Sequence, residues 1–364
     1  MSGIWGNNIK VSIFGESHGN AIGITIDGLP SGFEIDMEKL LFEMERRAPG
    51  KNELSTARKE KDLPEILSGY FEGRTTGTPL CAIIRNKDTR SKDYSRLKDY
   101  MRPGHADYTG NIRYSGFNDY RGGGHFSGRI TAPLVFAGAI CKQVLEKEGI
   151  YIASHISSIK DIKDDDFNGI NLTKEELLRL REEELPLLNK SLEHKIRHKI
   201  LQAKYEGDSV GGTIECAIIG IKAGLGNPFF DSVESTFAHL IFSVPAVKGI
   251  EFGKGFEMTR MFGSEANDEF YYDGDLVKTK TNNNGGILGG ITNGMPVIFK
   301  VAIKPTASIA KEQNTIDINN KTNVKFRVEG RHDPCIVQRA VPVIEAVAAI
   351  GILDLIKGAG QWVN

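Results

Sequence analysis

The chain has 364 residues, 40% hydrophobic and 26% charged, a balance that fits a folded globular protein and excludes a disordered one. Lys plus Arg number 46 against 47 Asp plus Glu, so there is no overall positive field to hold nucleic acid, and an anionic ligand must be met by local basic clusters. No run of about 18 apolar residues occurs, so no membrane-spanning helix is expected.

In chain order, Ile9 to Phe14 alternates in hydropathy and predicts a strand, as does Ala21 to Asp27. Asp36 is placed to cap a helix carrying Met37, Leu40, Leu41 and Met44 at helical spacing. Cys81 to Ile84 predicts a short apolar strand. Thr131 is expected to cap a helix with Pro133 in its first turn and Leu134, Ala137, Cys141, Val144 and Leu145 on one face. Thr173 and Glu176 form a capping-box pattern. Pro186 is expected to stop that helix, and Ser191 to Glu206 to resume it. Pro296 to Ile303 predicts a strand, and Val341 to Lys357 an apolar helix with Pro342 near its start.

A faint internal repeat lies at an offset of 192 residues, where GESHGNAIGITIDGLPSG (15–32) aligns with GDSVGGTIECAIIGIKAG (207–224). Each copy leads into a helical pattern, Asp36 to Arg47 and then Ser232 to Ser243. The expected organisation is one domain over 1–364. It has two related β-β-α halves, roughly 1–150 and 207–364, joined by a charged helical connection over 158–206.

Glycine is the unusual count, at 41, and clusters at 122–124, 285–286 and 289–290. Such clusters suit tight turns or close approach of backbone to a ligand. Cys81, Cys141, Cys216 and Cys335 form no CxxC pair, and the opening MSGIWGNNIK has no signal-peptide core. Neither a zinc site nor a disulfide framework is expected, and the setting expected is cytoplasmic.

Four segments concentrate chemistry-bearing residues. GESHG (15–19) matches the GxSxG elbow of serine hydrolases, but that elbow needs a helix after it and a strand pattern follows. RPGHADY (102–108) offers Arg102, a fork for phosphate or carboxylate, and His105, a proton carrier near neutral pH. RGGGHFSGR (121–129) sets Arg121 and Arg129 about a glycine turn whose backbone N–H groups can form an anion nest, ahead of a helix N-terminus. GRHDP (330–334) holds Arg331, His332 and Asp333, the last a proton acceptor or an ion-pair partner. KPTAS (304–308) adds a cation and two hydroxyls. No Walker or Rossmann glycine pattern is complete, so no nicotinamide site of its own is expected.

Together these segments resemble the chorismate synthase family. The match runs in order from GNNIKVSIFGESHG through RRAPG, RPGHADYTG, DYRGGGHFSGRITA, GGILGGITNG and KPTAS to GRHDPC. The resemblance implies an α+β fold, a β-α-β sandwich with an internal pseudo-two-fold repeat, and a homotetramer. It implies conversion of 5-enolpyruvylshikimate 3-phosphate to chorismate and phosphate, with reduced FMN and no net redox change. An external flavin reductase is the expected source of reducing equivalents, and neither nucleic acid nor a membrane is an expected partner. A non-catalytic flavin- or phosphate-binding module is the alternative, and a serine hydrolase using Ser17 a further one.

By the same resemblance His18 is the proton donor to the leaving phosphate, and His105 controls protonation of the reduced flavin. Asp333 assists proton removal at flavin N5, and Ser17 and Ser127 are relay hydroxyls. Arg47, Arg102, Arg129 and Arg331 are the expected substrate clamp. His125, Phe126, Ser127, Ala246, Gly289, Lys304, Pro305, Thr306, Ala307, Ser308 and Arg331 are the expected FMN contacts. Two positions depart from the family pattern: His125-Phe126 stands where many relatives have Arg-Ser, and Glu53 where many have an arginine.

Overall fold

In a computed structural model, which describes residues 3–50, 53–55, 60–87, 97–330 and 332–360, the alternating runs of the first third form an antiparallel sheet. Its strands are β1 (Ile4–Trp5), β2 (Lys10–Gly15), β3 (Ala21–Asp27), β4 (Pro64–Ser68) and, after a small β5–β6 hairpin (Tyr70–Phe71, Arg74–Thr75), β7 (Leu80–Arg85). The order is β1-β2-β3-β7-β4. Ile22, Ile24 and Ile26 of β3 point to one face and are fully buried, as a period of two requires.

Helix α1 (Met37–Arg47) follows, and Asp36 caps it by accepting from the Lys39 amide at 3.1 Å. The short α2 (Asp107–Arg113) and the long α3 (Thr131–Lys147) come next. Every residue of α3 from Thr131 to Leu145 is buried, because the helix lies between two sheets rather than on one. Its cap position is Ile130, not Thr131. The Thr131 hydroxyl instead donates back to the Gly128 carbonyl at 2.6 Å and accepts from Arg47 Nε at 3.2 Å.

A second antiparallel sheet contains β8 (Tyr151–Ile159), β9 (Ile162–Lys163), β10 (Gly212–Ile219), β11 (Val247–Phe252) and a strand near residue 300. Between β9 and β10 come α4 (Lys174–Glu182) and α5 (Glu193–Tyr205). The Thr173–Glu176 capping box opens α4, and the chain leaves the helix at Glu182, ahead of Pro186. β8 precedes the charged stretch and pairs with β10, which follows it. The segment expected to connect two halves is therefore an excursion between neighbouring strands of one sheet.

Helix α6 (Val233–Ser243), capped by Ser232, precedes β11. Beyond it lie the short α7 (Gly263–Ala266) and two exposed or partly exposed hairpins, β12–β13 (Phe270–Asp273, Leu276–Thr279) and β14–β15 (Ile287–Leu288, Ile291–Thr292). Then follow β16 (Val297–Ile303), the β17–β18 hairpin (Gln313–Asp317, Thr322–Phe326) and α8 (Val337–Gly358). The second sheet is ordered β11-β16-β10-β8-β9. Helix α8 starts before the apolar run and carries Pro342 inside it.

The two sheets enclose a helical layer in which α3 packs toward the first sheet, α6 and α8 toward the second, and α1 lies against α3 and α8. This is the expected α+β sandwich. Its centre is the crossing of α3 and α8, where a Cβ on Gly138 would come within 2.3 Å of Ala346, so only glycine allows that approach. β3 and β10 are each the middle strand of their sheet, and each leads to a helix capped by Asp36 or Ser232. Gly15 and Gly207, paired in the repeat, both have positive φ, as do Gly32 and Gly224. Among the described residues no helix is long and apolar enough to cross a membrane.

Candidate active site

A cavity of about 710 Å³ opens at the ends of both sheets. His18, Arg47, Arg102, His105, His125, Phe126, Ser127, Arg129, Ala246, the run 304–308 and Asp333 all line it. These residues come from the β2–β3 turn, the end of α1, the approach to α2, the glycine turn before α3, the α6–β11 turn, the segment after β16 and the approach to α8. The dispersed segments therefore converge.

The glycine turn is the floor of the site. Gly122, Gly123 and Gly124 have φ of 58°, 84° and 53°. A Cβ on Gly122 would sit 2.2 Å from the His18 ring, and one on Gly123 3.1 Å from His105 Nε2. Two imidazoles thus rest on two successive glycines. The turn was expected as an anion nest; in the structure its close approach serves side chains, and its positive φ values suit only glycine. Arg121, at the start of the turn, pairs with Asp119 at 2.7 Å and does not line the cavity.

Arg102 is 5% exposed and is gripped by Asp107, which accepts from Nε and Nη2 at 2.7 Å each. Its Nη1 donates to Ser308 Oγ at 3.0 Å, tying the approach to α2 to the KPTAS segment. Asp107 also lies 2.7 Å from His105 Nδ1. Burial pushes the Asp107 carboxyl up, but hydrogen bonds from Arg102 and His105 outweigh it and hold the group well below the usual carboxylate range. His105 is pushed below its ordinary value, by burial first and by the Arg102 and Lys304 charges, while Asp107 opposes.

Arg47 and Arg129 share one carboxylate. Asp62 Oδ2 accepts from Arg47 Nη1 at 2.6 Å and Asp62 Oδ1 from Arg129 Nη1 at 2.6 Å. Glu60 also contacts Arg129 Nη1. Burial pushes the Arg47 guanidinium down to about 10, against the pull of Asp62. Asp333 pairs with Arg339 at 2.5 Å, and Arg339 Nε donates to the Arg47 carbonyl at 3.2 Å. His332 lines the cavity too, and burial and the Arg102 charge push its pKa down.

His125 Nδ1 donates to the Gly15 carbonyl at 2.9 Å. Phe126 stacks obliquely on Tyr114, with centroids 6.3 Å apart. Ser127 Oγ accepts from the Arg129 amide at 3.3 Å. Ala246 holds φ at 73°, a conformation rare for a residue with a side chain, and its carbonyl accepts from the Lys304 amide at 2.9 Å. Lys304 Nζ reaches the Gly104 carbonyl. The Thr306 hydroxyl is buried with no hydrogen-bond partner among the described residues.

Of the expected site residues, two do not line the cavity and one lies outside the described residues. Gly289 sits in the β14–β15 turn and does not line this cavity. Ser17 is 1% exposed beneath the glycine turn, behind the lining residues, and is followed by β3 rather than a helix, so the hydrolase elbow is not formed. Arg331 lies outside the described residues. Conversely, Glu60, Asp62, Asp107 and Arg339 were not anticipated. Each is a partner to an anticipated residue, and only Asp107 carried a signal, its place five residues from Arg102 inside RPGHADY.

A family model described as chorismate synthase matches residues 9–356. Among curated relatives, the chorismate synthase of Pyrococcus abyssi is 46% identical over 359 residues, covering 98% of each chain. That of Methanocaldococcus jannaschii is 46% identical over 364 residues, covering 97% of this chain and 96% of the relative. A solved structure described as a crystal structure of chorismate synthase superposes with a TM-score of 0.76 at 29% identity, covering 98% of this chain and 93% of that one. With its motifs gathered in one cavity and these matches spanning nearly its whole length, the chain belongs to the chorismate synthase family.

Proposed function

We propose that this chain catalyses the 1,4-elimination of phosphate from 5-enolpyruvylshikimate 3-phosphate, giving chorismate, with reduced FMN bound in the same cavity. The observation that carries this reading is the convergence of His18, His105, Asp333, Arg47, Arg102 and Arg129 on one cavity of about 710 Å³. A substrate with a phosphate and carboxylates needs several fixed cations, and arginine supplies them in a planar fork.

The cavity fits a flavin. Leu134, Val247, Ile336 and Val343 supply apolar wall beside Phe126 and Tyr114, and the buried Thr306 hydroxyl awaits a polar partner. The segments 125–127 and 304–308 with Ala246 would hold the cofactor. Reduced flavin, when bound, would supply the electron-rich ring that the elimination needs, in a reaction with no net redox change. His18 donates a proton to the leaving phosphate, a step of the kind that contributes about 10²–10⁴ in rate. His105 holds Nε2 toward the cavity for proton exchange with the cofactor, and Asp333 accepts a proton at its carboxylate. Arg47, Arg102 and Arg129 orient the anionic substrate, with Arg331 as a further clamp residue.

The reading extends to a cytoplasmic homotetramer supplied by an external flavin reductase. Exposed Phe230, Phe256, Phe262 and Tyr272 give apolar surface suited to subunit contact. Purified protein with chemically reduced FMN is expected to release phosphate from the enolpyruvyl substrate, and with oxidised FMN alone it is not. Equal turnover without flavin would overturn the reading. NADPH oxidation by the pure protein with FMN would replace the external reductase by an intrinsic one.

A further inference from the structure

Arg129 is only 5% exposed, yet its hydrogen bonding is lopsided. Nε donates to Asn86 Oδ1 at 2.6 Å, and Nη1 faces both Asp62, at 2.6 Å, and Glu60. Nη2 is buried and has no hydrogen-bond partner among the described residues. A buried guanidinium that crowds two carboxylates on one nitrogen and leaves another empty is set up for an oxyanion.

The two carboxylates differ in their placement. The Asp62 side chain is fully buried and bridges Arg129 to Arg47, so moving it would strip both cations. Glu60 lines the cavity and is not needed for that bridge. Asn86, which fixes Arg129, also donates to the Glu16 and Gly19 carbonyls at 3.0 and 2.8 Å, on the turn that carries His18. The Arg129 head is thus tethered beside the His18 turn.

We propose that Glu60 is a displaceable counter-ion. Its carboxylate holds the place on Arg129 that an oxyanionic group of the substrate takes on binding, while Asp62 stays as the fixed positioning residue. The exchange swaps one oxyanion–guanidinium contact for another and turns the Glu60 carboxylate toward the cavity that it lines, so Arg129 is never buried uncompensated, and anions that cannot also reach Nη2 gain little by displacing Glu60. The inference rests on Arg129 facing the substrate, as the preceding reading has it.

Glu60→Gln keeps the shape of the side chain and removes the competing charge. By calorimetric titration without flavin, it is expected to bind inorganic phosphate about tenfold more tightly than the natural protein, each tenfold step being about 1.4 kcal/mol. A parallel titration with lactate separates a phosphate subsite from a carboxylate subsite, a gain in either supporting the proposal. Glu60→Asp, which draws the carboxylate back by one methylene, is expected to show a smaller gain and serves if the first variant does not fold. Unchanged or weaker affinity for both anions in the folded variants sinks the proposal. Because the readout is anion binding, that result leaves the turnover assay to judge the activity separately.

Discussion

Asp107 Oδ1 stands 2.7 Å from His105 Nδ1, and the same carboxylate grips Arg102 through two of its nitrogens. Of the two groups near His105 Nδ1, Asp107 is closer than Arg102 Nη2, at 3.1 Å, and only Asp107 can accept a proton. Nδ1–H therefore donates to Asp107, and Nε2, left unprotonated, lies over Gly123. One aspartate sets a tautomer and aims a substrate cation at once.

Asp107→Asn is expected to lower turnover by about 10²-fold or more, within the range of a misplaced acid–base group. It also has a pH signature. Asp107 raises the His105 pKa, whereas burial, Arg102 and Lys304 lower it. Removing the carboxylate leaves only lowering influences, so the limb of the pH–rate profile that reports His105 should move to lower pH. A profile that keeps its position would assign that limb to another group.

Gly122→Ala puts a methyl group 2.2 Å from the His18 ring at a φ of 58°. The backbone strain is about 1–2 kcal/mol, too little to unfold a domain with so large a core. The ring must shift, and His18 is the proposed proton donor to the leaving phosphate. Turnover is expected to fall at least tenfold while the melting temperature drops by only a few degrees. Comparable losses in Gly122→Ala and a variant in an exposed turn such as Gly274→Ala would show that the effect is not on His18.

Asp62→Asn removes the shared partner of two buried arginines and is expected to cost about 3–5 kcal/mol of stability at neutral pH. The Asp62 pKa is lowered in the folded chain: burial raises it, but the charges of Arg47 and Arg129 prevail. A lowered carboxylate stabilises the fold above its unfolded value, near pH 4, and that contribution is lost as pH falls through the folded value. The stability gap between the two proteins should therefore be widest near neutral pH and close below about pH 4. Urea denaturation at pH 7 and at pH 3 checks it.

His155 lies outside the active cavity, fully buried on the far face of the second sheet. It is held between Asp164 at 3.1 Å and Glu215 at 2.9 Å. Burial pulls its pKa down, but the two carboxylates win and raise it. Asp164 also accepts from the Leu188 and Asn189 amides, so the imidazolium clamps the helical excursion onto the sheet. A raised histidine stabilises fully below its unfolded value of about 6.5, and the benefit fades as pH rises through the folded value. His155→Asn should lower the melting temperature more at pH 6 than at pH 9, with turnover below the transition unchanged. An equal loss at both pH values would mean that the ring acts by packing alone.

Much of the architecture was legible before any coordinates. The alternation in 21–27, the Asp36 cap, the helical pattern over 232–243 and the Thr173–Glu176 box are local patterns, and local hydrogen bonding and a period of two or 3.6 suffice to produce them. The errors fall where a neighbour in space overrides such a pattern. Thr131 looks like a cap, but its hydroxyl is taken up by Gly128 and Arg47. Pro342 looks like a helix start, yet α8 begins at Val337 because the polar Gln338 and Arg339 find partners in Leu54, Asp333 and Arg47.

The active-site side chains divide in the same way. His18, His105, Asp333 and the arginines stood out because their motifs concentrate reactive groups in glycine-rich turns. Their counter-charges, Asp62 and Glu60 for Arg47 and Arg129 and Arg339 for Asp333, did not, because an ion pair leaves no periodic trace when its members sit on separate elements. The amino-acid order settles which segments are strands, helices and tight turns, since those depend on groups within a few residues. Which carboxylate meets which guanidinium, which imidazole rests on which glycine, and how each pKa moves depend on burial and on charges brought together across the chain, and folding alone assembles those.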